Sequence, residues 1–266
     1  MQTRIGVLGA DGRMGRAIVR AIAANPRAQL AAAVERAGSA SLGQDAGLVA
    51  GVGSRGVLIQ EGLPHKGVAQ VWVDFSIPAA SLAAAQTAAA GGVAMVIGTT
   101  GFSPEQKAEL TMAAAEVPIV FAANTSVGVN VLLKTVGDVA RALGPTYDLE
   151  IVETHHRAKR DAPSGTALRL AEALAEATKR DLAATARYER HGEIGARTDA
   201  EIGIQTIRGG DVVGDHTVYF LGNGERIEIT HRATSRDTFA HGAVRAALWV
   251  EGRPPGLYDF RDVLGL

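Results

Sequence analysis

The first half of the chain alternates short, wholly apolar runs with alanine-rich stretches of helical periodicity, and this alternation restricts the possible folds most. Runs without polar positions suit strands that are buried on both faces, as in a parallel sheet covered by helices. The predicted strands are Arg4–Leu8, Gln29–Val34, Val71–Phe75, Ala94–Ile97 and Pro118–Phe121, and the predicted helices are Arg13–Ala24, Ala79–Ala90 and Pro104–Ala115. We therefore expect an α/β fold with a doubly wound parallel sheet of the Rossmann type, which binds ligands at the carboxyl ends of its strands.

The pattern changes near residue 124 and predicts a second, α+β domain. Its predicted helices are Gly128–Leu143 and Gly165–Thr178, and its predicted strands are Asp148–Glu153, Glu201–Arg208, His216–Leu221 and Arg226–His231. Gly222-Asn223-Gly224 between the last two strands indicates a hairpin, so we expect a mainly antiparallel sheet. The final predicted helix, Thr238–Val250, is alanine-rich like the first half. We expect residues 1–126 and 237–266 to form one domain and residues 127–236 the other.

A glycine motif follows the first predicted strand and opens the first predicted helix, which is the context of a dinucleotide-binding turn. Gly9 suits the tight turn, Gly12 lets the backbone approach a pyrophosphate, and Gly15 lets the helix lie close to the strand. The phosphates would then bind at the positive helix N terminus. Glu35 ends the second predicted strand, where an acidic side chain binds the adenine ribose. Glu35 disfavours a 2′-phosphate and Arg36 favours one, so we expect both NADH and NADPH to be used.

Two further segments lie at predicted carboxyl ends of strands, where a nicotinamide would bind. They are the sequence GTTG at Gly98–Gly101 and the sequence AANTSVGVN at Ala122–Asn130. Small residues and hydroxyl groups allow a ligand to approach backbone amides there. Each segment alone is equally consistent with an ordinary tight turn and a Thr or Ser helix cap.

The stretch ETHHRAKRDAPSGTA, from Glu153 to Ala167, concentrates basic side chains in one loop. In an extended backbone the rings of His155 and His156 point to opposite faces, so they make a poor chelating pair and no metal is expected. A solvated basic loop is the simplest interpretation. However, the loop runs into Ser164-Gly165-Thr166, where bare helix amides favour an anion. With histidine and lysine available for proton transfer, the residues alone indicate a reductase of a small anionic substrate.

Composition excludes several other classes of protein. The chain of 266 residues contains no cysteine, which rules out disulfides, thiolate catalysis and cysteine-bound metals and suggests a reducing cytoplasm. Its formal net charge of −1 gives no general attraction to nucleic acid or to a membrane surface. No apolar run approaches the ~20 residues needed to cross a bilayer, and the start of the sequence does not resemble a secretory signal.

Together these motifs resemble the 4-hydroxy-tetrahydrodipicolinate reductase (dihydrodipicolinate reductase) family of bacterial lysine and diaminopimelate biosynthesis. The matching segments run in the family's order over essentially the whole chain: GADGRMG, VER, VDFS, GTTG, AANTSVGVN, ETHHRAKRDAPSGTA, RGGDVVGDHTV and ITHRATSRDTFAHGA. The resemblance implies NAD(P)H-dependent reduction of 4-hydroxy-tetrahydrodipicolinate, a small dicarboxylate, to tetrahydrodipicolinate and water. It also implies a cytoplasmic homotetramer assembled through the sheet of the second domain, which would bind the substrate.

The resemblance implies a role for each matching position. His155 matches the family's proton donor/acceptor and Lys159 its proton donor, while His156, Gly165 and Thr166 match residues that hold the substrate carboxylates. The positions that match cofactor contacts are Gly9, Ala10, Asp11, Gly12, Arg13, Met14, Glu35, Arg36, Gly98, Thr99, Thr100, Ala122, Ala123, Asn124 and Thr125.

Two other functions fit parts of the sequence. A dehydrogenase of another small amino or keto acid would explain the glycine motif, but not the HHRAK segment followed by PSGTA. A redox sensor that binds NAD(P) without catalysis would have no need of His155 and Lys159. Turnover of the substrate by the purified protein distinguishes all three.

Overall fold

The computed structural model describes residues 1–62 and 67–266, which divide into two compact units. The first unit consists of Met1–Val127 and Asp237–Leu266, and the second consists of Gly128–Arg236. The second unit is therefore an insertion between two segments of the first. Strands and helices are numbered below in chain order along the whole chain.

The first unit contains a parallel sheet that, within the described residues, has seven strands in the order β12-β6-β5-β4-β1-β2-β3. The strands are β1 (Thr3–Leu8), β2 (Ala28–Glu35), β3 (Ile59–Glu61), β4 (Val71–Asp74), β5 (Ala94–Ile97), β6 (Pro118–Phe121) and β12 (Gly256–Tyr258). The helices are α1 (Arg13–Ala23), α2 (Ala46–Ala50), α3 (Pro78–Gly91), α4 (Pro104–Ala114), α8 (Asp237–Val250) and α9 (Phe260–Leu264). The strand order reverses at β1, so the predicted doubly wound sheet is confirmed.

Alternate side chains of the strands supply two separate cores on the two faces of this sheet. Val7, Val73 and Val96 pack with α1 and α8, whereas Trp72 and Met95 pack with α3 and α4. Strands buried on both faces must be apolar throughout, which explains the wholly apolar runs in the sequence. Both faces of the central strands are therefore covered by helices.

The C-terminal segment completes the first unit. Helix α8 contacts α1 and the strands β4, β5 and β6, and β12 pairs in parallel with β6. The Thr125 hydroxyl donates to the Phe239 carbonyl at 2.7 Å, and a Cβ at Gly242 would lie 1.7 Å from the Thr125 carbonyl oxygen. The chain thus leaves the first unit and re-enters it at adjacent points.

The second unit contains a mixed five-stranded sheet in the order β11-β10-β7-β9-β8. Its strands are β7 (Asp148–His155), β8 (Ala186–Arg187), β9 (Ile202–Arg208), β10 (Gly214–Leu221) and β11 (Arg226–Ala233). Its helices are α5 (Val127–Leu143), which begins one residue before the unit, α6 (Gly165–Thr178) and α7 (Leu182–Thr185). The predicted antiparallel pairing is found for β7, β10 and β11, while β9 and β8 run parallel to their neighbours.

One face of this second sheet forms a core with α5 and α6. Along β7 the odd positions Leu149, Ile151, Glu153 and His155 are buried and the even positions are partly exposed. Leu149 and Ile151 lie in the apolar core with Leu170 and Leu174 of α6. The same alternation places Glu153 and His155 on the helix-covered face, beyond the end of the apolar cluster.

The described residues include no helix long and apolar enough to span a membrane. In residues 1–62 and 67–266 there is also no group of three or more histidine, aspartate or glutamate side chains arranged to hold a metal ion.

Candidate active site

The turn after β1 and the helix that follows it favour glycine at two positions, for different reasons. Gly9 has a φ of +67°, in the left-handed region that favours glycine. A Cβ at Gly15 would lie 2.0 Å from the Gly9 carbonyl oxygen and 2.7 Å from the Ala10 Cα, so α1 contacts the turn backbone directly. Gly12 is the N-cap of α1, whose first turn carries no acidic side chain. The helix therefore presents its positive end without a side chain in front of it, which fits a pyrophosphate.

Glu35 at the end of β2 reaches this turn. Its carboxylate accepts hydrogen bonds from the Asp11 and Arg36 backbone amides, both at 3.1 Å. Asp11 in turn pairs with Arg16 on α1. Arg36 is exposed beside Glu35. An acceptor and an exposed cationic residue thus follow each other at the end of β2, an arrangement that suits an adenine ribose.

The loop after β5 surrounds a buried carboxylate that the sequence analysis did not single out. Asp74, at the end of β4, accepts hydrogen bonds from the Ser76 amide at 3.0 Å, the Thr99 hydroxyl at 3.3 Å and the Ser81 hydroxyl. Burial raises the pKa of Asp74, and the hydrogen bonds only partly offset this. The side chain of Thr99 is therefore bonded within the unit, whereas Thr100 is exposed. The side chain of Thr99 holds this loop, and Thr100 is the hydroxyl accessible to a ligand.

Gly98 is required by the same loop. A Cβ at this position would lie 2.1 Å from the ring of Phe75, and the Gly98 amide donates to the Asp74 carbonyl at 2.8 Å. The aromatic ring of Phe75 thus lies directly on the backbone at the end of β5. There is consequently no room for a side chain at position 98.

The loop after β6 contains both buried and accessible positions. Ala122 is buried and its amide donates to the Ile97 carbonyl at 2.9 Å, whereas Ala123 is exposed. The Asn124 carboxamide accepts from the Ser126 amide at 2.8 Å. Thr125 is fully buried, and its hydroxyl is used in the bond to Phe239. Thr125 therefore holds the loop to α8.

In the second unit, Glu153 of β7 organises the loop that leads into α6. Its side chain is fully buried and binds Arg208 of β9 in a bidentate pair, with both nitrogen–oxygen distances 2.8 Å. It also accepts from the Ser164 amide at 3.0 Å, from the Thr206 hydroxyl at 3.2 Å and from Nδ1 of His155. Burial alone would raise the pKa of Glu153, but the bonds from Arg208, His155 and Ser164 lower it overall. Glu153 is therefore an ionised carboxylate that ties β7, β9 and α6 together.

His155 is 8% exposed and lies between Glu153 and His216. The rings of His155 and His216 meet edge to face, with centroids 5.2 Å apart. Burial lowers the pKa of His155; Glu153 raises it in part, and the cations Lys159 and Arg208 lower it further. Burial likewise lowers the pKa of His216 to about 4. Both rings are thus neutral at physiological pH, when His155 is able to accept a proton.

The other basic residues of the loop have separate partners. The Lys159 Nζ lies 2.8 Å from each carboxylate oxygen of Asp161, and the Lys159 side chain is 21% exposed. The Nε2 of His156 lies 3.4 Å from a guanidinium nitrogen of Arg236. The loop Gly209–Val213 holds the backbone of His156 in place, because the Val212 carbonyl accepts from the His156 amide at 2.8 Å. The two histidines consequently occupy different environments, His155 buried and His156 partly exposed.

The N terminus of α6 borders the same loop. Ser164 is the N-cap, and its hydroxyl accepts from the Ala167 amide at 3.2 Å and pairs with Nε2 of His216 at 3.0 Å. Gly165 is exposed at the first helical position, and Thr166 follows it partly exposed. The peptide bond between Ala162 and Pro163, just before the helix, is in the cis form. Cationic side chains and a helix N terminus thus meet in one short segment, an arrangement suited to carboxylates.

The structure groups the predicted residues within each unit and adds four that sequence reasoning missed. His155, His156, Lys159, Gly165 and Thr166 lie between the end of β7 and the start of α6. The predicted cofactor residues occupy four segments at the carboxyl ends of β1, β2, β5 and β6. The missed residues are Asp74, Glu153, Arg208 and His216. Glu153 carried a usable signal, since it precedes His155 by two positions in a strand and so shares its face.

Comparison with known proteins agrees with this geometry. The family model described as "Dihydrodipicolinate reductase, N-terminus" matches residues 3–125, and the model described as "Dihydrodipicolinate reductase, C-terminus" matches residues 128–264. The parallel sheet with its glycine turn, together with the two family models, defines an oxidoreductase that binds a nicotinamide cofactor.

Similar proteins match over nearly their whole length. The "4-hydroxy-tetrahydrodipicolinate reductase" of Anaeromyxobacter dehalogenans strain 2CP-1 is 56% identical over 99% of this chain and 98% of its own, and that of Myxococcus xanthus is 52% identical over 97% and 96%. A solved structure of dipicolinate-bound dihydrodipicolinate reductase from Paenisporosarcina sp. TG-14 has a TM-score of 0.76 at 26% identity, covering 97% of this chain and 98% of that one. The chain belongs to the dihydrodipicolinate reductase family.

Proposed function

We propose that this protein reduces 4-hydroxy-tetrahydrodipicolinate with NADH or NADPH, giving tetrahydrodipicolinate and water, as a step of diaminopimelate and lysine biosynthesis. The observation that carries the proposal is the loop between β7 and α6, which brings His155, His156 and Lys159 to a helix N terminus. Membership of the reductase family supports it, because similar proteins named for this reaction match nearly the entire chain.

In this proposal the first unit binds the cofactor and the second unit binds the substrate. The bound nicotinamide cofactor supplies a hydride. The glycine turn and the bare N terminus of α1 hold its pyrophosphate, and Glu35 accepts from the adenine ribose. The loops Gly98–Thr100 and Ala122–Thr125, at the carboxyl ends of β5 and β6, border the nicotinamide. No metal takes part.

His156, Gly165 and Thr166 bind the substrate carboxylates in this assignment. Their arrangement combines a histidine with the positive end of α6, which stabilises anions. Lys159 stabilises the negative charge that hydride addition creates and donates a proton, and His155 accepts and returns a proton. The dicarboxylate nature of the substrate explains why so many cations lie in one loop of a nearly neutral chain.

The pair Glu35 and Arg36 underlies the proposal that both cofactors are used. Glu35 is held by two backbone amides and therefore stays in place beside the ribose, where it disfavours a 2′-phosphate. Arg36 is exposed, with a side chain long enough to bind that phosphate. Arg36 therefore favours NADPH, which alone carries the 2′-phosphate, whereas Glu35 favours NADH by accepting from its ribose hydroxyls.

Replacing Arg36 with alanine is expected to raise the KM for NADPH about tenfold while changing the KM for NADH little, since a charged hydrogen bond is worth ~1.5–3 kcal/mol. The measurement is steady-state kinetics with each cofactor at saturating substrate. Arg27→Ala, an exposed arginine at the start of β2, is the matched control and should leave both constants unchanged. An equal loss with the two cofactors would contradict the phosphate role.

The direct test of the function is oxidation of reduced nicotinamide by the purified protein. Fresh substrate is made from pyruvate and aspartate semialdehyde by the preceding synthase, and NADH and NADPH are compared. Rapid loss of absorbance that requires the synthase product is the expected result. Nucleotide binding without oxidation would reject the reductase and favour a sensor.

The proposal extends to a homotetramer in the cytoplasm. The face of the second sheet that lies away from α6 carries Val152 of β7, Thr217 of β10 and the 49% exposed Ile207 of β9. Such a partly apolar face suits association of subunits through their sheets. Sedimentation velocity of the purified protein tests this state.

A further inference from the structure

The side chain of Glu153 has hydrogen-bond partners on β7, on β9 and at the start of α6. Five donors converge on its two oxygens: two guanidinium nitrogens of Arg208, the Ser164 amide, the Thr206 hydroxyl and Nδ1 of His155. A carboxylate offers about four lone-pair positions, so this one is saturated. Because Arg208 supplies a full positive charge, Glu153 has no tendency to take up a proton.

This saturation determines the protonation of His155. An ionised carboxylate only accepts hydrogen bonds, so Nδ1 of His155 must carry the hydrogen that lies against Glu153. In the neutral ring, Nε2 then carries the lone pair. The charged and titratable groups around the ring are Glu153 on β7, Lys159 in the following loop, Arg208 on β9 and His216 on β10. Burial and the two cations keep the ring neutral until a proton is delivered to it.

The space at Nε2 is preserved by a glycine. A Cβ at Gly214, the first residue of β10, would lie 2.9 Å from Nε2 of His155 and 3.3 Å from Cδ2. The backbone of Gly214 is not in the left-handed region, so conformational freedom is not the reason for glycine here. Its absent side chain leaves room at the one ring nitrogen that Glu153 does not occupy.

We propose that Glu153 is a positioning residue that fixes His155 in the Nδ1–H tautomer and so makes Nε2 the atom that accepts and returns the proton. The inference rests on the proposed function and adds to it the atom that exchanges the proton and the group that orients it. When Nε2 takes a proton, the imidazolium is stabilised by the adjacent Glu153 carboxylate. When it returns the proton, the ring regains its original tautomer, and Glu153 remains ionised throughout because of Arg208.

The test reads the tautomer directly. Two-bond ¹H–¹⁵N correlation spectra of the full-length protein labelled with ¹⁵N-histidine are recorded against pH, and His155→Gln identifies the His155 signals among the seven histidines. The wild type should show a protonated Nδ1 and an unprotonated Nε2. In Glu153→Gln the side-chain amide can both donate and accept, so the single tautomer should be lost and the His155 pKa should fall, because Glu153 raises it.

The kinetic arm compares the pH dependence of turnover. Glu153→Gln should lower turnover about tenfold or more, a fraction of the 10²–10⁴-fold scale of general acid–base catalysis, and should move the acidic limb of the profile to lower pH. The matched control is Glu150→Gln, three residues earlier on β7. Its carboxylate also binds guanidinium groups, those of Arg190 and Arg197, but on the other face of the sheet. It should leave the tautomer and the profile unchanged.

Two outcomes would overturn the inference. The inference is overturned if the neutral His155 ring of the wild type carries its hydrogen on Nε2. This measurement needs no variant of Glu153, so it decides even if Glu153→Gln does not fold. If the wild type is active and a folded Glu153→Gln variant keeps the same His155 tautomer and pH profile, the inference is wrong and the proposed function stands. Failure of the wild type to oxidise either cofactor would reject the function alone, since the tautomer is measured without turnover.

Discussion

Replacing Lys159 with alanine is expected to lower turnover about 100-fold or more, the usual scale for loss of a general acid. The Lys159 ammonium pairs with the carboxylate of Asp161, whose side chain is 61% exposed. In the proposed reaction it meets negative charge only after hydride addition. Its loss should therefore reduce turnover far more than it raises the KM for the substrate.

A second variant separates charge from proton donation. Lys159→Arg keeps a cation but cannot release a proton near neutral pH. Compared with Lys159→Ala, it should restore the KM for the substrate but not the turnover. Arg160→Ala, which removes the exposed neighbouring cation, serves as the control and should behave like the wild type. Initial rates at several substrate concentrations decide the matter. Turnover within twofold of the wild type in Lys159→Ala would remove this residue from the chemistry.

Replacing Arg208 with methionine is expected to destabilise the second unit by about 3 kcal/mol at neutral pH, because it leaves the fully buried Glu153 without its cation. Methionine retains much of the volume, so the loss reports on charge. Arg190→Met is the comparison, since Glu150 keeps Arg197 as a second partner. Arg190→Met should lower the free energy of unfolding by clearly less than Arg208→Met does. Urea unfolding followed by circular dichroism gives both values.

The difference in free energy of unfolding between the wild type and Arg208→Met should become smaller as the pH falls. In the wild type the pKa of Glu153 is lowered, so its contribution is present above the unfolded value of about 4.3 and is lost as the pH falls through the folded pKa. In the variant, burial without Arg208 raises that pKa, so protonation relieves the cost as the pH falls. A destabilisation that is equal at about pH 5 and pH 7.5 would mean that the unpaired charge is not its cause.

The fold of the first unit follows closely from its sequence because each central strand is buried on both faces. Val71–Asp74 and Ala94–Ile97 are apolar enough to identify without structural information. The short elements β3, β12 and α9 were not predicted. Gly256–Tyr258 has no apolar pattern of its own and becomes a strand only by pairing with β6. Its assignment depends on a contact between distant parts of the chain.

The candidate site was predictable where its residues are local. His155, Lys159 and Thr166 fall in one continuous motif, and Gly9, Gly12 and Gly15 form another. Arg208 and His216 were not predicted, because only the strand register of the folded sheet brings them close to Glu153. His155 is opposite Arg208 in the β7–β9 pair, and Glu153 is opposite His216 in the β7–β10 pair. Asp74 was not predicted either, because in the sequence a carboxylate at the end of a strand is indistinguishable from an ordinary solvated charge.

The split of the first unit into two chain segments has a consequence for synthesis on the ribosome. Every residue assigned to cofactor or substrate has left the ribosome before Asp237–Leu266 is made, yet β6 still lacks its partner β12 and one face of β4 to β6 lacks α8. A nascent chain in this state exposes an apolar surface and a sheet edge, the features that promote aggregation. A stop codon just before Asp237 would therefore remove no proposed site residue and still yield an insoluble, chaperone-bound product.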